Sequence, residues 1–269
     1  MIRIEKSLCI GCGKCTRDCF PGALTINDGS PCLEYPDRCL SCGHCIAVCP
    51  RQAVWDDQLN MNECNEIQPV RHPENLLCSM QQRRSCRHYT RTPVTDQQLD
   101  MLLSAARACP TAKNLQGTRY IAVTESIPQL LDAALEGLGQ VGQAQLQTAA
   151  DPGELRRARN FISWAEIRST NKSFDPLFFH APLLLLFVSK DDPRDAAAAA
   201  AYTELMAYHL GLGCLYSGYF TACAAASEKI HTLLQLAPGE SVVRCLVLGH
   251  PDIKFLRTVP RKPIDLTKM

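Results

Sequence analysis

The fold of the first part of the chain is decided by the stretch Cys9-Ile10-Gly11-Cys12-Gly13-Lys14-Cys15-Thr16-Arg17-Asp18-Cys19. Thirty residues later the same spacing recurs in Cys39-Leu40-Ser41-Cys42-Gly43-His44-Cys45-Ile46-Ala47-Val48-Cys49. Each half reads C-x2-C-x2-C-x3-C, and the duplication predicts two similar folding units. Three closely spaced thiolates fit three corners of one iron–sulfur cube.

The spacing is that of bacterial ferredoxins, in which the fourth cysteine of each run ligates the other 4Fe-4S cluster. The pattern therefore predicts two clusters whose ligands cross between the halves. The first cluster takes Cys9, Cys12, Cys15 and Cys49, and the second takes Cys39, Cys42, Cys45 and Cys19. Gly13 and Gly43 follow the second cysteine of each run, where the backbone must curl closely around the cube.

Two other uses of eight cysteines fit the pattern less well. A zinc site favours separated C-x2-C pairs or a mixture of Cys and His, and a disulfide framework favours a secreted chain. Because the ligand count is complete without it, His44 is expected to be a solvated neighbour. The halves differ after the fourth cysteine, since Pro50 follows Cys49 directly whereas Phe20 separates Cys19 from Pro21.

Length and charge bound the organisation of the whole chain. With 269 residues it exceeds most single domains, and we expect a cluster domain (1–60), a linker (61–75) and a second domain (76–269). The net charge of +1 argues against nucleic acid as a partner. The start has no apolar signal segment, and the longest aliphatic run, Leu183–Val188, is too short for a membrane span. We expect a cytoplasmic protein.

Secondary structure beyond the linker is predicted from periodicity and capping. Thr95 and Gln98 form a capping box for a helix that reaches about Ala108. The alanine-rich stretch Arg194–Leu210 predicts a central helix. Further helices are expected at 128–138, at 151–169 and from about 227, and strands at 119–124, 183–189 and 242–248. The strand 183–189 is apolar throughout, which is typical of a strand buried on both faces.

The motif Gly137-Leu138-Gly139-Gln140-Val141-Gly142 satisfies G-x-G-x-x-G. A dinucleotide site needs a strand before this motif and a helix after it, so that the pyrophosphate meets a helix N-terminus. Here the motif lies at the end of a helical pattern. We therefore reject the dinucleotide interpretation.

Four pieces of the second domain together resemble the nitroreductase family of FMN enzymes. Their order and spacing over about 190 residues carry the resemblance. The pieces are Arg83-Arg84-Ser85-Cys86-Arg87, Pro110-Thr111-Ala112-Lys113-Asn114-Leu115-Gln116, Gly211-Leu212-Gly213-Cys214-Leu215-Tyr216-Ser217-Gly218-Tyr219-Phe220, and Leu248-Gly249-His250-Pro251 with Arg261-Lys262-Pro263.

The resemblance implies a set of FMN-binding residues. Arg83, Ser85 and Arg87, with Arg84 beside them, would hold the phosphate and the ribityl chain, in keeping with the bidentate fit of guanidinium to phosphate. Asn114 and Gln116 would bind the ribityl chain or the flavin edge. Ser217 and Gly218 match the loop that passes the flavin N5. Arg261 would return to the phosphate, with Arg257 as a helper. His180 and Tyr216 are candidates to line the substrate pocket.

The resemblance also implies the architecture and the activity. The fold is α+β: a small duplicated ferredoxin-like domain precedes a nitroreductase-like α/β sandwich with a mainly antiparallel sheet. The family implies an intertwined homodimer with FMN at the subunit interface. We expect two 4Fe-4S clusters to pass electrons from a ferredoxin-like or other low-potential donor to FMN, which reduces a small-molecule acceptor such as a nitroaromatic, a quinone or an activated double bond.

Two alternatives remain open. The chain could be an electron-transfer adaptor that delivers electrons to a partner protein, or a redox sensor in which cluster loss changes the flavin site. An open pocket over the flavin and turnover with small acceptors would favour the enzyme. Whether NAD(P)H is used directly is undecided by the sequence.

Overall fold

The computed structural model of the chain describes residues 1–67, 72–190 and 192–269. These residues form two compact units. The first comprises Met1–Arg71 and Thr111–Leu115, and the second comprises His72–Pro110 and Gln116–Met269. The predicted linker (61–75) includes residues 68–71, which lie outside the described residues. Its bounds, and those of the two predicted domains, therefore stay predictions.

The first unit is built from short strands and one-turn helices. Its two antiparallel sheets pair β1 (Ile2–Ile4) with β4 (Val54–Asp56), and β2 (Leu24–Asn27) with β3 (Ser30–Leu33). The helices are α1 (Lys14–Arg17) and α2 (His44–Ala47), with 3-10 turns at Pro36–Arg38 and Met61–Glu63. The two α-helices occupy equivalent places in the repeat, as the duplication predicts.

Backbone conformation follows the repeat as well. Gly13 and Gly43 precede α1 and α2 with φ angles of 69° and 74°, in the left-handed region that glycine adopts without strain. This confirms the tight backbone expected behind the second cysteine. At Gly11 (φ 65°) a Cβ would lie 2.8 Å from the carbonyl oxygen of Gly29. The equivalent Ser41 keeps a positive φ of 46° in the second half.

The core of the first unit is small and includes its own cysteines. Ile2, Leu24 and Val54 are buried together with Cys15 and Cys45. So short a segment removes little apolar surface from water. We therefore expect the unit to depend for stability on what its cysteines bind.

The second unit is organised around a four-stranded antiparallel sheet with the order β5-β6-β8-β7. The strands are β5 (Arg119–Val123), β6 (Leu183–Ser189), β7 (Gly213–Tyr216) and β8 (Ser241–Gly249). All seven residues of β6 are buried. The expected strand with two buried faces is thus confirmed, and so is the antiparallel sheet.

Helices cover both faces of this sheet. They are α3 (Pro73–Gln82), α4 (Asp96–Arg107), α5 (Ile127–Thr148), α6 (Pro152–Thr170), α7 (Pro193–His209), α8 (Gly218–Ala224) and α9 (Glu228–Leu234). Leu184 and Leu186 of β6 pack with residues of α5, α8 and α9. Leu185 and Phe187 point the other way, towards α4 and α7. Alternate residues of β6 therefore pack into two different hydrophobic cores.

The capping box at the start of α4 is present, with the Thr95 side chain accepting from Gln98 N at 3.2 Å. The prediction for α5 was wrong in length, because the helix continues ten residues past 138. The strand β7 and the helices α3 and α8 were not predicted. Among the described residues, no helix is long and apolar enough to cross a membrane.

The glycines of the rejected G-x-G-x-x-G motif lie inside α5, where they let two helices approach closely. A Cβ at Gly142 would stand 2.6 Å from the carbonyl oxygen of Ala158, and a Cβ at Gly139 would stand 2.8 Å from the Cβ of Ala165. Both neighbours belong to α6. The spacing thus reflects helix packing, in agreement with the rejection of a dinucleotide loop.

Candidate redox sites

Two cavities in the first unit are each lined by four cysteines. One is lined by Cys9, Cys12, Cys15 and Cys49, and the other by Cys39, Cys42, Cys45 and Cys19. In each set, three cysteines come from one run and the fourth from the other. The structure therefore brings together the two crossed cysteine sets that the spacing predicts, and their role as cluster ligands stays a prediction.

Each four-cysteine set surrounds a space and does not converge on one point. Among the residues that the structure describes, no three Cys, His, Asp or Glu side chains are arranged to hold a single metal ion. Four thiolates around a cavity fit the corners of a four-iron cube, which is wider than one ion. The described geometry thus fits a 4Fe-4S cluster in each cavity.

The electrostatics of the cysteines also favour a positively charged group in each cavity. Burial raises the pKa of the Cys45 thiol to about 11, and the neighbouring Cys42, Cys39 and Cys19 add to the rise. Burial likewise raises the pKa of Cys15. Thiolates packed this closely repel each other until a metal centre offsets their charge.

Backbone amides reach the fourth cysteine of each run. Ala23 N lies 3.3 Å from Cys19 Sγ, and Ala53 N lies 3.2 Å from Cys49 Sγ. The two bonds are equivalent under the repeat. Hydrogen bonds to ligand sulfur are one of the factors that set cluster potential. His44 is exposed, with Nδ1 3.2 Å from Asp18 Oδ2, in keeping with the expected solvated neighbour.

In the second unit, residues 83–91, here called the basic segment, follow α3. The basic segment runs beside β7 and the end of β8. Cys86 N donates to Cys214 O at 3.0 Å, and Thr90 N donates to His250 O at 2.8 Å. The hydroxyl of Tyr89 donates to Cys86 O at 2.8 Å, and Val247 O lies 3.2 Å away. These bonds fix an extended stretch that carries the predicted phosphate ligands Arg83, Ser85 and Arg87.

A pocket of about 430 Å³ lies at one end of this segment, within the size range of ligand sites. It brings together Arg87, Tyr216, Ser217 and Gly218, all predicted from the sequence. A Cβ built at Gly218 meets nothing within 4 Å, so the backbone there is open to a flat ligand. Apolar side chains, among them Leu177 and Phe179, complete the wall. This lining fits a flavin.

Other predicted residues lie elsewhere. Asn114 packs with the first unit, where its Nδ2 donates to Ser41 O at 3.1 Å. His180 is exposed beside Asp175 and does not line the pocket. Arg257 and Arg261 lie in the exposed C-terminal segment, and Arg84 is half-buried. The contacts of these residues and of Gln116 with FMN stay predictions.

One polar residue of this region was missed by the sequence analysis. Glu204 of α7 is buried, and Arg83 Nη1 lies 2.8 Å from its Oε1. Burial raises the pKa of the nearby Tyr216 phenol, and the negative charge of Glu204 adds to that rise. Burial raises the pKa of Glu204, and the charge of Arg83 opposes that rise. The one available signal was a carboxylate within an otherwise apolar, alanine-rich stretch.

Comparison with protein families identifies both parts of the chain. The profile of the Nitroreductase family matches residues 80–250, which is more than half of the chain. The profile of the 4Fe-4S dicluster domain matches residues 8–53. The first match contains the basic segment and the pocket, and the second contains all eight cysteines of the duplicated pattern.

Solved structures share the fold of the second part. A nitroreductase with bound FMN from Bacteroides fragilis is 19% identical with a TM-score of 0.52, covering 72% of this chain and 98% of that one. A nitroreductase with bound FMN from Desulfitobacterium hafniense is 22% identical, with the same score and coverage. A BluB-like flavoprotein from Clostridium difficile is 17% identical with a TM-score of 0.56, covering 74% and 100%.

A curated relative matches over a short stretch only. This relative, a subunit of the ion-translocating oxidoreductase complex of Methanosarcina acetivorans, is 37% identical over 46 residues, 17% of this chain and 17% of that protein. The chain thus spans about a sixth of the length of that relative. The match to the Nitroreductase family is far more extensive and confirms the predicted nitroreductase-like fold. The chain belongs to the nitroreductase family and carries a 4Fe-4S dicluster domain ahead of the nitroreductase domain.

Proposed function

We propose that this chain is an iron–sulfur flavoprotein oxidoreductase. Two 4Fe-4S clusters, when bound, would pass electrons from a ferredoxin-like or other low-potential donor to FMN. FMN would supply hydride transfer to a nitroaromatic, a quinone or an activated double bond. One observation carries the proposal: two cavities lined by four cysteines each occur in the same chain as a nitroreductase domain with a ligand-sized pocket.

The combination has a chemical reason. When bound, the clusters supply single-electron transfer, and FMN supplies the conversion to two-electron chemistry. The chain itself supplies position and electrostatics. The crossed cysteines hold two metal centres within one small unit, and the basic segment with the pocket provides cationic and apolar contacts for a phosphorylated, planar molecule.

Within the pocket, the residues have distinct tasks. Arg87 brings a guanidinium that suits a phosphate or a flavin oxygen. Ser217 is buried, and its N–H donates to Cys245 O at 2.9 Å, which fixes the loop before Gly218. Leu177 and Phe179 exclude water from one wall. The half-buried Tyr216 and the exposed His180 remain candidates for contact with the substrate.

Assembly and location complete the proposal. We infer a homodimer with FMN at the subunit interface from the family resemblance. We infer a cytoplasmic location from the sequence, because thiols persist in a reducing compartment. The exposed C-terminal segment would carry Arg257 and Arg261 towards the phosphate in such an assembly. The predicted absence of nucleic-acid and membrane partners belongs to the same proposal.

A second candidate is an electron-transfer adaptor that delivers electrons to a partner protein. The similarity of its cluster domain to part of an oxidoreductase complex favours it. Turnover separates the two candidates. An enzyme reduces small nitro or quinone acceptors many times per chain, whereas an adaptor stays reduced until its partner protein is added.

Two cysteine variants test the electron route. In Cys12→Ala and Cys42→Ala, we expect ferredoxin-driven reduction of a nitro acceptor to fall to background, because each change removes one ligand of one cluster. Reduction driven by dithionite, which can reduce flavin directly, should persist and serves as the control for an intact flavin site. Undiminished ferredoxin-driven turnover in both variants would overturn the proposed route.

A further inference from the structure

Glu204 is a buried carboxylate that pairs with Arg83, one of the residues assigned to the flavin site. It lies on α7 at 9% exposure, on the same helix as the buried Ala200, Thr203 and Ala207. Carboxylates rarely lie in such surroundings unless they are paired. Its partners therefore indicate what it does.

The first partner is Arg83, at the start of the basic segment. Arg83 Nη1 lies 2.8 Å from Glu204 Oε1, and its side chain is 33% exposed. A guanidinium carries five donors, so one pairing with a carboxylate leaves others for a second anion. Glu204 thus pairs with the arginine, and part of the Arg83 side chain stays exposed to solvent.

The second neighbour is Tyr216, at the end of β7. Its side chain lines the pocket with Ser217 and Gly218. Burial raises the pKa of its phenol, and the negative charge of Glu204 adds to that rise. The Glu204 carboxylate is therefore paired with the basic segment and close to the strand that leads into the pocket loop.

A held arginine is a better phosphate ligand than a mobile one. A long side chain loses rotamer freedom when it binds an anion, and that loss weakens the complex unless the side chain is already ordered. The ion pair with Glu204 restricts the rotamers of the Arg83 side chain. The negative charge of Glu204 also repels a phosphate, so the two effects on phosphate binding have opposite signs.

We propose that Glu204 is a positioning residue of the phosphate subsite: it holds Arg83 in place to bind the phosphate monoester of the flavin. The inference rests on the proposed function, since it takes FMN as the ligand. It goes beyond that function by assigning a residue that the sequence motifs do not include. In this role, the ordering of Arg83 outweighs the repulsion between Glu204 and the phosphate.

The test compares FMN with riboflavin, which lacks the phosphate. Each flavin is titrated into the full-length protein after removal of bound flavin, with flavin fluorescence as the readout. In Glu204→Leu, affinity for FMN should fall about three- to tenfold, the cost of ordering one long side chain, whereas affinity for riboflavin should stay unchanged. Glu204→Gln keeps an acceptor for Arg83 and should recover most of the preference for FMN.

A double variant shows whether the effect passes through Arg83. In the Arg83→Ala background, Glu204→Leu should not change the ratio of the FMN and riboflavin dissociation constants any further. A preference for FMN that is unchanged or increased in Glu204→Leu alone would overturn the inference, and so would equal weakening of both flavins. If the leucine variant does not fold, Glu204→Met, also apolar and of similar size, is read in the same way.

The outcome is separable from that of the proposed function. A wild-type protein that binds neither flavin contradicts the proposed function. If the wild-type protein prefers FMN and the Glu204 variants keep the same preference, only the role of Glu204 is contradicted. Iron content of each variant, which reports on the cluster unit, controls for general loss of the protein.

Discussion

Cys15 and Cys49 come from opposite halves of the cysteine repeat, yet they line one cavity. Cys45 and Cys19 are related in the same way in the second cavity. Each half of the repeat therefore contributes cysteines to both cavities, and each cavity needs a cysteine from both halves to complete its set of four. This relationship gives the most specific prediction about the first unit.

Substitution of one cysteine should remove the cluster of its cavity, whichever half the cysteine comes from. We expect Cys15→Ala and Cys49→Ala to lose the same cluster, because each removes a ligand from the same four-iron cube. Cys45→Ala and Cys19→Ala should lose the other. Electron paramagnetic resonance of the reduced proteins compares the four spectra. A Cys49→Ala spectrum that matches Cys45→Ala, with each run holding its own cluster, would refute the crossed assignment.

The glycines of α5 allow a matched test of helix packing. Gly142→Ala should lower the free energy of unfolding by about 1–3 kcal/mol, because the new Cβ would lie 2.6 Å from Ala158 O. Gly137→Ala is the control, since its nearest neighbour, Cys223 Sγ, is 4.0 Å away. There, helix propensity should raise stability by about 0.5–1 kcal/mol. Equal effects in urea unfolding would contradict the close approach of α5 and α6.

Arg87 should contribute directly to flavin binding. Because it lines the pocket, Arg87→Ala should weaken FMN binding about ten- to a hundredfold, the usual worth of a hydrogen bond to a charged group. Arg91 lies on the same basic segment, is exposed and does not line the pocket. Arg91→Ala is thus the control and should bind FMN normally. Equal losses would mean that the segment acts through general charge.

The ion pair of Asp132 and Arg168 should stabilise the second unit in a pH-dependent way. Arg168 is buried, and its Nε lies 2.6 Å from Asp132 Oδ1. Burial acts to raise the pKa of Asp132, but hydrogen bonds and charges from Arg168 and Lys172 outweigh it, so the pKa is lowered. A lowered folded-state pKa stabilises the native state above the ordinary Asp pKa of about 4 and loses that effect as pH falls below it.

Asp132→Asn should therefore cost about 1–2 kcal/mol at pH 7, a value discounted for solvent screening because the aspartate side chain is 39% exposed. The difference from wild type should hold between about pH 8 and pH 5 and narrow only at about pH 4 and below. Urea unfolding followed by tryptophan fluorescence measures it. A difference that grows as pH falls would have the wrong sign.

The sequence predicted the parts whose chemistry lies in local spacing. The cysteine runs carry their ligand count and crossed pairing in the spacing itself, and the apolar stretch of β6 predicts a strand with two buried faces. The basic segment and the loop around Ser217 and Gly218 were found through motif order. These features need no knowledge of tertiary contacts.

Features that depend on distant partners were missed. The three glycines of α5 suggest a helix end, yet the helix continues through them, and two of them, Gly139 and Gly142, pack closely against α6. The role of Glu204 is visible only from its pairing with Arg83, which lies elsewhere in the chain. Asn114 was assigned to the flavin by motif, and that assignment stays a prediction; its bond to Ser41 O could not be foreseen from the sequence. A sequence motif does not specify which of two possible partners an amide contacts.

The central claim is that one chain holds both clusters and a flavin. Anaerobic purification followed by iron, acid-labile sulfide and released-flavin analysis tests it most directly. The account predicts about eight irons and eight sulfides per chain, from two four-iron clusters, together with one FMN. Eight irons without flavin would contradict the reductase and leave a two-cluster carrier attached to a nitroreductase fold with another use.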